Sequence, residues 1–190
     1  KIDDNEKYNQ LDISKYKVSD TLTKKIQEAR LKGKLLLFHP YSASIHKSMP
    51  QSITIDLLKE FLFKLEDYMV ISTLQIDPKI KEDNFVDLSK ESKNLNDFIY
   101  IISQMDEIFT TDTSTYHISD IFMIQTIVVF TQADYERKIK YYKYVKPIYI
   151  KDESKNLSKF IYENESLTFY KFESWKKIKI SQIIKLLDKF

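Results

Sequence analysis

The chain has 190 residues, 43% of them hydrophobic, enough for one globular domain with a core, or one domain with a tail. Thirty Lys and Arg against 28 Asp and Glu leave a net charge of +2, so the basic excess that nucleic-acid phosphates demand is missing and nucleic acid is not an expected partner. With no cysteine, disulfides, thiolate metal sites and a cysteine nucleophile are excluded, and a reducing compartment fits.

Apolar runs such as 121–130 carry polar interruptions and are too short for a bilayer, and no signal-peptide pattern is visible. The chain opens at Lys1 without a methionine, as a fragment of a longer protein would, and it contains one glycine, Gly33.

Residues 1–19 are polar with scattered apolar positions and read as a linker or docking arm. Ser19 or Asp20 caps a helix reaching about Leu31, which Gly33 ends. Residues 35–38 are a continuous apolar run, the pattern of a parallel strand buried on both faces, and His39-Pro40 stops it. A polar loop, 41–51, leads to a helix that follows Ser52 and carries Ile53, Leu57, Leu58, Phe61, Leu62 and Leu65. Residues 68–73 form a second strand, 78–84 a charged loop or short helix, and 85–88 a short strand.

Asn94 caps a helix bearing Leu95, Phe98, Ile99 and Ile102. A strand at 107–110, a helix at 113–123 and a β-branched strand at 126–130 follow. Residues 135–144 read as a solvated helix and 145–150 as the last strand. Residues 151–174 are polar and aromatic, and 175–190 form an amphipathic helix with Ile178, Ile180, Ile183, Ile184 and Leu187 on its apolar face. The alternation predicts an α/β domain over 20–150, a Rossmann-like parallel sheet with helices on both faces, with 151–190 packing on it.

In such sheets a ligand sits beyond the carboxyl ends of the strands, where two loops are chemically distinctive. Asp112, Thr113, Ser114, Thr115 and His117 open the helix after the 107–110 strand. A helix start offers free N–H groups and about half a positive charge, which suits a diphosphate. Ordinary capping explains the same residues without a ligand. After the first strand, Ser42, Ala43 and Ser44 precede Lys47, hydroxyls and a point charge that suit phosphate, although a solvated turn reads the same way. His39, His46 and His117 lack metal-ligand spacing, so no metal is expected.

Taken together in this order, the two loops resemble the C-terminal half of the ADP-heptose:lipopolysaccharide heptosyltransferase-like proteins, glycosyltransferase family 9, of the GT-B fold. That family shows a strand, a proline, small residues and a basic residue near Trp-Pro. Here Leu35 to Ser44 are followed by Lys47-Ser48-Met49-Pro50. It then shows Asp-Thr-Gly-x-x-His-Leu-Ala after a helix and a short strand, matched here by Asp112-Thr113-Ser114-Thr115-Tyr116-His117-Ile118-Ser119. A valine-rich strand follows in both. The likeness spans about residues 35–150. Ser114 stands for the motif glycine, Ser119 for a small apolar residue and Met49 for tryptophan, and the glycine expected after Val129 is absent, with Phe130-Thr131-Gln132 in its place.

The resemblance implies that Asp112, Thr113, Ser114 and His117 line a donor diphosphate, faced by Ser42, Ala43, Ser44 and Lys47, and that Glu82 contacts the donor ribose. It implies a donor-binding domain that helps move a sugar from a nucleoside-diphosphate sugar to a glycan or lipopolysaccharide-type acceptor. The acceptor and a carboxylate general base would lie in another half, outside this chain, and the last helix could cross back to it. It also implies no cofactor and a cytoplasmic location, with peripheral association at the inner face of the membrane left open. The alternative is a degenerate GT-B-like domain that acts as a non-catalytic binding or scaffold module; a nucleotide-sugar epimerase is a third reading.

Overall fold

The computed structural model describes residues 11–44, 47–131, 134–151 and 173–187. Residues 1–10 of the arm expected at 1–19, most of 151–174, His46 and Gln132 lie outside them. Among the described residues six strands run β1 (Lys34–His39), β2 (Tyr68–Ser72), β3 (Phe85–Asp87), β4 (Glu107–Thr111), β5 (Gln125–Phe130) and β6 (Val145–Tyr149). All are parallel, in the order β3-β2-β1-β4-β5-β6, a Rossmann-like α/β arrangement. The chain moves outward from β1 to β3, then returns to place β4 on the other side of β1, so the crevice between β1 and β4 is the switch point.

The continuous apolar runs are explained by burial on both faces. On one face Leu36, Phe38, Val70, Phe109, Ile127 and Val129 pack under α2 (Gln51–Lys64) and α6 (Ile180–Leu187), together with the buried Trp175. On the other, Leu35, Leu37, Met69, Ile71 and Ile108 meet α1 (Asp20–Arg30) and α3 (Leu95–Ser103). Adjacent β1 residues thus serve opposite cores, as the two-residue period of a strand requires. α4 (Ser114–Ile121) packs on β5, and a third, smaller cluster joins Tyr116, Val128, Phe130 and Val145 near α5 (Tyr135–Ile139).

Several element ends differ from expectation for identifiable reasons. Ser19, not Asp20, caps α1, accepting from Leu22 N–H at 3.2 Å. Gly33 has no positive φ, so it does not end α1 through a left-handed turn. Its lack of a Cβ is used differently: a Cβ there would lie 2.5 Å from the Asp67 carbonyl oxygen, which accepts the Lys34 N–H. α2 starts at Gln51, directly after Pro50, without a side-chain cap. Leu95, expected on the apolar face of α3, is exposed because it sits beside the Asn94 cap, before the buried stripe of Ile99, Ile101 and Ile102 begins.

α4 stops at Ile121. Met123 takes φ 56°, its N–H reaches Asp120 O, and Ile124 N–H reaches Ser119 O at 3.0 Å. This is a Schellman ending in which a methionine occupies the position usually given to glycine. The expected 135–144 helix is only the five residues of α5. Trp175 lies in a 3₁₀ turn, Glu173–Lys177, ahead of α6, which packs on β5 and α2 of this sheet. Among the described residues no helix is long and apolar enough to cross a membrane.

Candidate functional site

The two loops singled out from the sequence flank the switch point. Pro40 follows β1 and Asp112 follows β4, strands that are hydrogen-bonded neighbours, so their carboxyl ends deliver both loops to one place. The Thr110 hydroxyl ties the strand ends together by donating to His39 O at 3.0 Å.

The β1 loop is held by a residue that sequence reasoning passed over. Ser48 is buried; its Oγ accepts from Ser42 N–H at 2.8 Å and lies 2.9 Å from Ser42 O and 3.0 Å from Ser44 O, either of which takes its proton. Met49 N–H reaches back to Pro40 O at 3.0 Å, and the Met49 side chain, where the family has tryptophan, is fully buried in the α2 core. Ser42 Oγ donates to Asp112 O at 3.4 Å, and Ser44 N–H meets Ser42 Oγ at 3.4 Å. Lys47 N–H bonds Ser44 O, which turns the lysine back toward α4.

Lys47 Nζ lies 2.9 Å from Asp112 Oδ2, and Lys138 Nζ from α5 lies 2.9 Å from the same oxygen. Lys138 was not among the expected site residues; the 135–144 stretch reads as solvated in the sequence, and only the fold turns α5 inward. Asp112 is 6% exposed. Burial pushes its carboxyl up, but hydrogen bonds and charge from Lys138 and Lys47 outweigh this and hold it below the usual carboxylate range. Asp134 adds a second carboxylate 3.5 Å from Lys138, so two lysines and two acids balance within the cluster.

Thr113 is the N-cap of α4: its Oγ1 accepts from Thr115 N–H at 3.1 Å and donates to the Thr115 hydroxyl at 2.8 Å. Ser114 is exposed and has no positive φ, so the missing motif glycine brings no backbone strain. Ser119 is buried but satisfied, donating to Tyr116 O at 3.0 Å and accepting from Thr126 Oγ1 at 2.7 Å, which compensates for a polar group at a normally apolar position.

His117, in the first turn of α4, hydrogen-bonds through Nδ1 to the Tyr142 hydroxyl. Burial is the largest influence on the imidazole and lowers its pKa; Asp112 and Asp120 raise it, and Lys47 and Lys138 lower it. Tyr116, beneath it, is raised by burial and then by the Asp112 charge. His39 at the end of β1 is depressed to about 4 by burial, with its Nδ1 3.1 Å from Thr73 Oγ1. Among the described residues no three His, Asp or Glu side chains gather as metal ligands would.

Glu82 is not brought to this cluster. It stands before β3, in the turn where Phe85 N–H bonds Glu82 O, and the neighbouring Asn84 side chain bonds Leu62 O at the end of α2. That is the amino-terminal edge of the sheet, opposite the crevice. The ribose contact expected from Glu82 is therefore set aside.

No family model matches the chain, and no curated protein matches it. Solved structures that match its fold include two glycosyltransferases. One is a glycosyl transferase of family 9 from Veillonella parvula DSM 2008, 14% identical, TM-score 0.55, covering 91% of this chain and 52% of that one. The other is the E. coli ADP-heptose lps heptosyltransferase II, 13% identical, TM-score 0.62, with the same coverage of 91% and 52%. The chain has a glycosyltransferase-like, Rossmann-like α/β fold and spans about half the length of the solved glycosyltransferases that it matches.

Proposed function

We propose that this chain is the donor-binding domain of a glycosyltransferase, and that it holds a nucleoside-diphosphate sugar by its diphosphate at the β1–β4 switch point. The observation that carries this reading is the convergence of Lys47 and Lys138 on Asp112, both at 2.9 Å, in front of α4. A diphosphate arriving there meets two ammonium groups and the positive end of a helix. It draws the lysines from Asp112, and they neutralise the charge that grows on the leaving nucleoside diphosphate as the glycosidic bond breaks. Ser42, Ser44, Ser114 and Thr113 supply hydroxyls around the same crevice. The acceptor, a glycan or a lipid-linked glycan, and the general base belong to another domain in this reading, so the chain by itself binds but does not turn over.

Isothermal titration of the folded chain with ADP, UDP, GDP and CDP tests this. Saturable binding by at least one, weakened roughly tenfold or more in Lys47→Ala and in Lys138→Ala, is the expected result, since a charge-assisted hydrogen bond contributes on that scale. No heat from any of the four with the chain folded would sink the reading.

A further inference from the structure

The diphosphate reading leaves unexplained why a tyrosine outside both loops is seated on His117. Tyr142 follows α5, and its hydroxyl lies within hydrogen-bond distance of His117 Nδ1. The rings meet edge to face, with centroids 5.5 Å apart at 65°. Tyr116 packs on both, at 4.0 Å from the His117 ring and 5.7 Å from the Tyr142 ring, and is itself fixed against Phe130 at 5.6 Å. The imidazole is therefore held on one side by packing and at one nitrogen by a hydrogen bond. Among the described residues Nε2 has no hydrogen-bond partner.

A neutral imidazole carries its proton on one nitrogen, and the hydrogen bond made by the other decides which. A phenol is a strong donor and a weak acceptor, whereas an unprotonated imidazole nitrogen accepts well. Tyr142 therefore donates to Nδ1, leaving the proton on Nε2.

We infer that Tyr142 is a positioning residue that fixes His117 in its Nε2–H form, so that this imidazole offers a neutral N–H donor to an anion at the start of α4. The inference rests on the diphosphate reading for the identity of the anion, but the tautomer itself belongs to the free protein. The groups acting on His117 are Asp112 ahead of the helix, Asp120 on α4, Lys47 from the β1 loop and Lys138 from α5. These charges act on the protonation of the ring as a whole, whereas the choice between its two neutral forms is made by the Tyr142 hydrogen bond. In the opposite tautomer Nε2 would offer an anion a lone pair in place of a proton.

The test is a long-range ¹H–¹⁵N spectrum of the histidine-labelled chain near pH 7.5, with His117 assigned by its loss in His117→Gln. The expected pattern is Nε2–H for His117 in the wild type and a mixture of tautomers in Tyr142→Phe. Inorganic pyrophosphate, titrated in parallel, should bind roughly three- to tenfold more weakly to Tyr142→Phe, the scale of one hydrogen bond. An Nδ1–H pattern in the wild type overturns the inference. So does an unchanged His117 pattern in a Tyr142→Phe chain whose backbone amide spectrum shows it folded. Should pyrophosphate and the four nucleoside diphosphates all leave the wild type silent while the tautomer responds as expected, the diphosphate reading fails and the Tyr142 assignment stands.

Discussion

Lys47 and Lys138 reach the same oxygen of Asp112, so the carboxylate occupies both cations that an incoming phosphate would use. Asp112 is then a counter-ion that keeps the lysines in place, and under the proposed function it competes with the diphosphate. Asp112→Asn should raise affinity for a nucleoside diphosphate by roughly fivefold, because the repulsion between carboxylate and phosphate is removed. It should also destabilise the chain by about 1–2 kcal/mol, since Lys47 and Lys138 both lose the Asp112 charge while Lys138 keeps Asp134, discounted for their contact with water. Calorimetry and urea unfolding read the two effects separately; weaker binding would show instead that Asp112 contacts the ligand directly.

Ser48 supports the β1 loop from beneath. Ser48→Ala leaves the half-buried Ser42 N–H without its 2.8 Å acceptor and frees the two carbonyls that the hydroxyl of Ser48 approaches. A loss of about 1–3 kcal/mol is expected in urea unfolding. Nucleotide affinity should fall with it, because the backbone N–H of Lys47 bonds the same stretch at Ser44.

Two positions exchange the usual role of glycine. Met123 bears a side chain at φ 56°, so Met123→Gly should stabilise the chain by about 1 kcal/mol. Gly33 has an ordinary φ but no room, with Asp67 O 2.5 Å from any Cβ, so Gly33→Ala should destabilise by about 2 kcal/mol as strand β1 is pushed from the Asp67 turn. Thermal unfolding of the two variants should shift in opposite directions.

Acid should weaken the fold before its carboxylates titrate. His39 has a folded pKa of about 4 against 6.5 when free, so the unfolded chain binds the extra proton throughout that interval. Stability is full above pH 6.5, declines as pH falls toward 4 and then levels for this group, with a total of about 3 kcal/mol. His117 is lowered as well and acts in the same direction; Asp120, raised by burial, acts oppositely as pH falls through its folded pKa. Urea unfolding from pH 7.5 to 4.5 should show the decline, and His39→Gln should flatten most of it.

Most of the elements were legible from local sequence signals. Leu35 to Phe38, Tyr68 to Ser72 and Thr126 to Phe130 are apolar without alternation, and only a strand covered on both faces buries such a run, so a parallel α/β sheet was legible from hydrophobicity alone. Ser19, Asn94 and Thr113 announced helix starts through local capping chemistry. The convergence of side chains at the crevice came from the fold instead. Lys138 and Tyr142 sit in a polar, tyrosine-rich stretch with no motif, and they join Asp112 and His117 because β5 lies beside β4 and the connection from β5 to β6 carries α5 past the start of α4. Glu82 carries the right chemistry at the wrong end of β3, a distinction that depends on strand direction. Local sequence reports burial and capping because those forces act within a few residues; meeting points between loops depend on strand order, which is a property of the whole sheet.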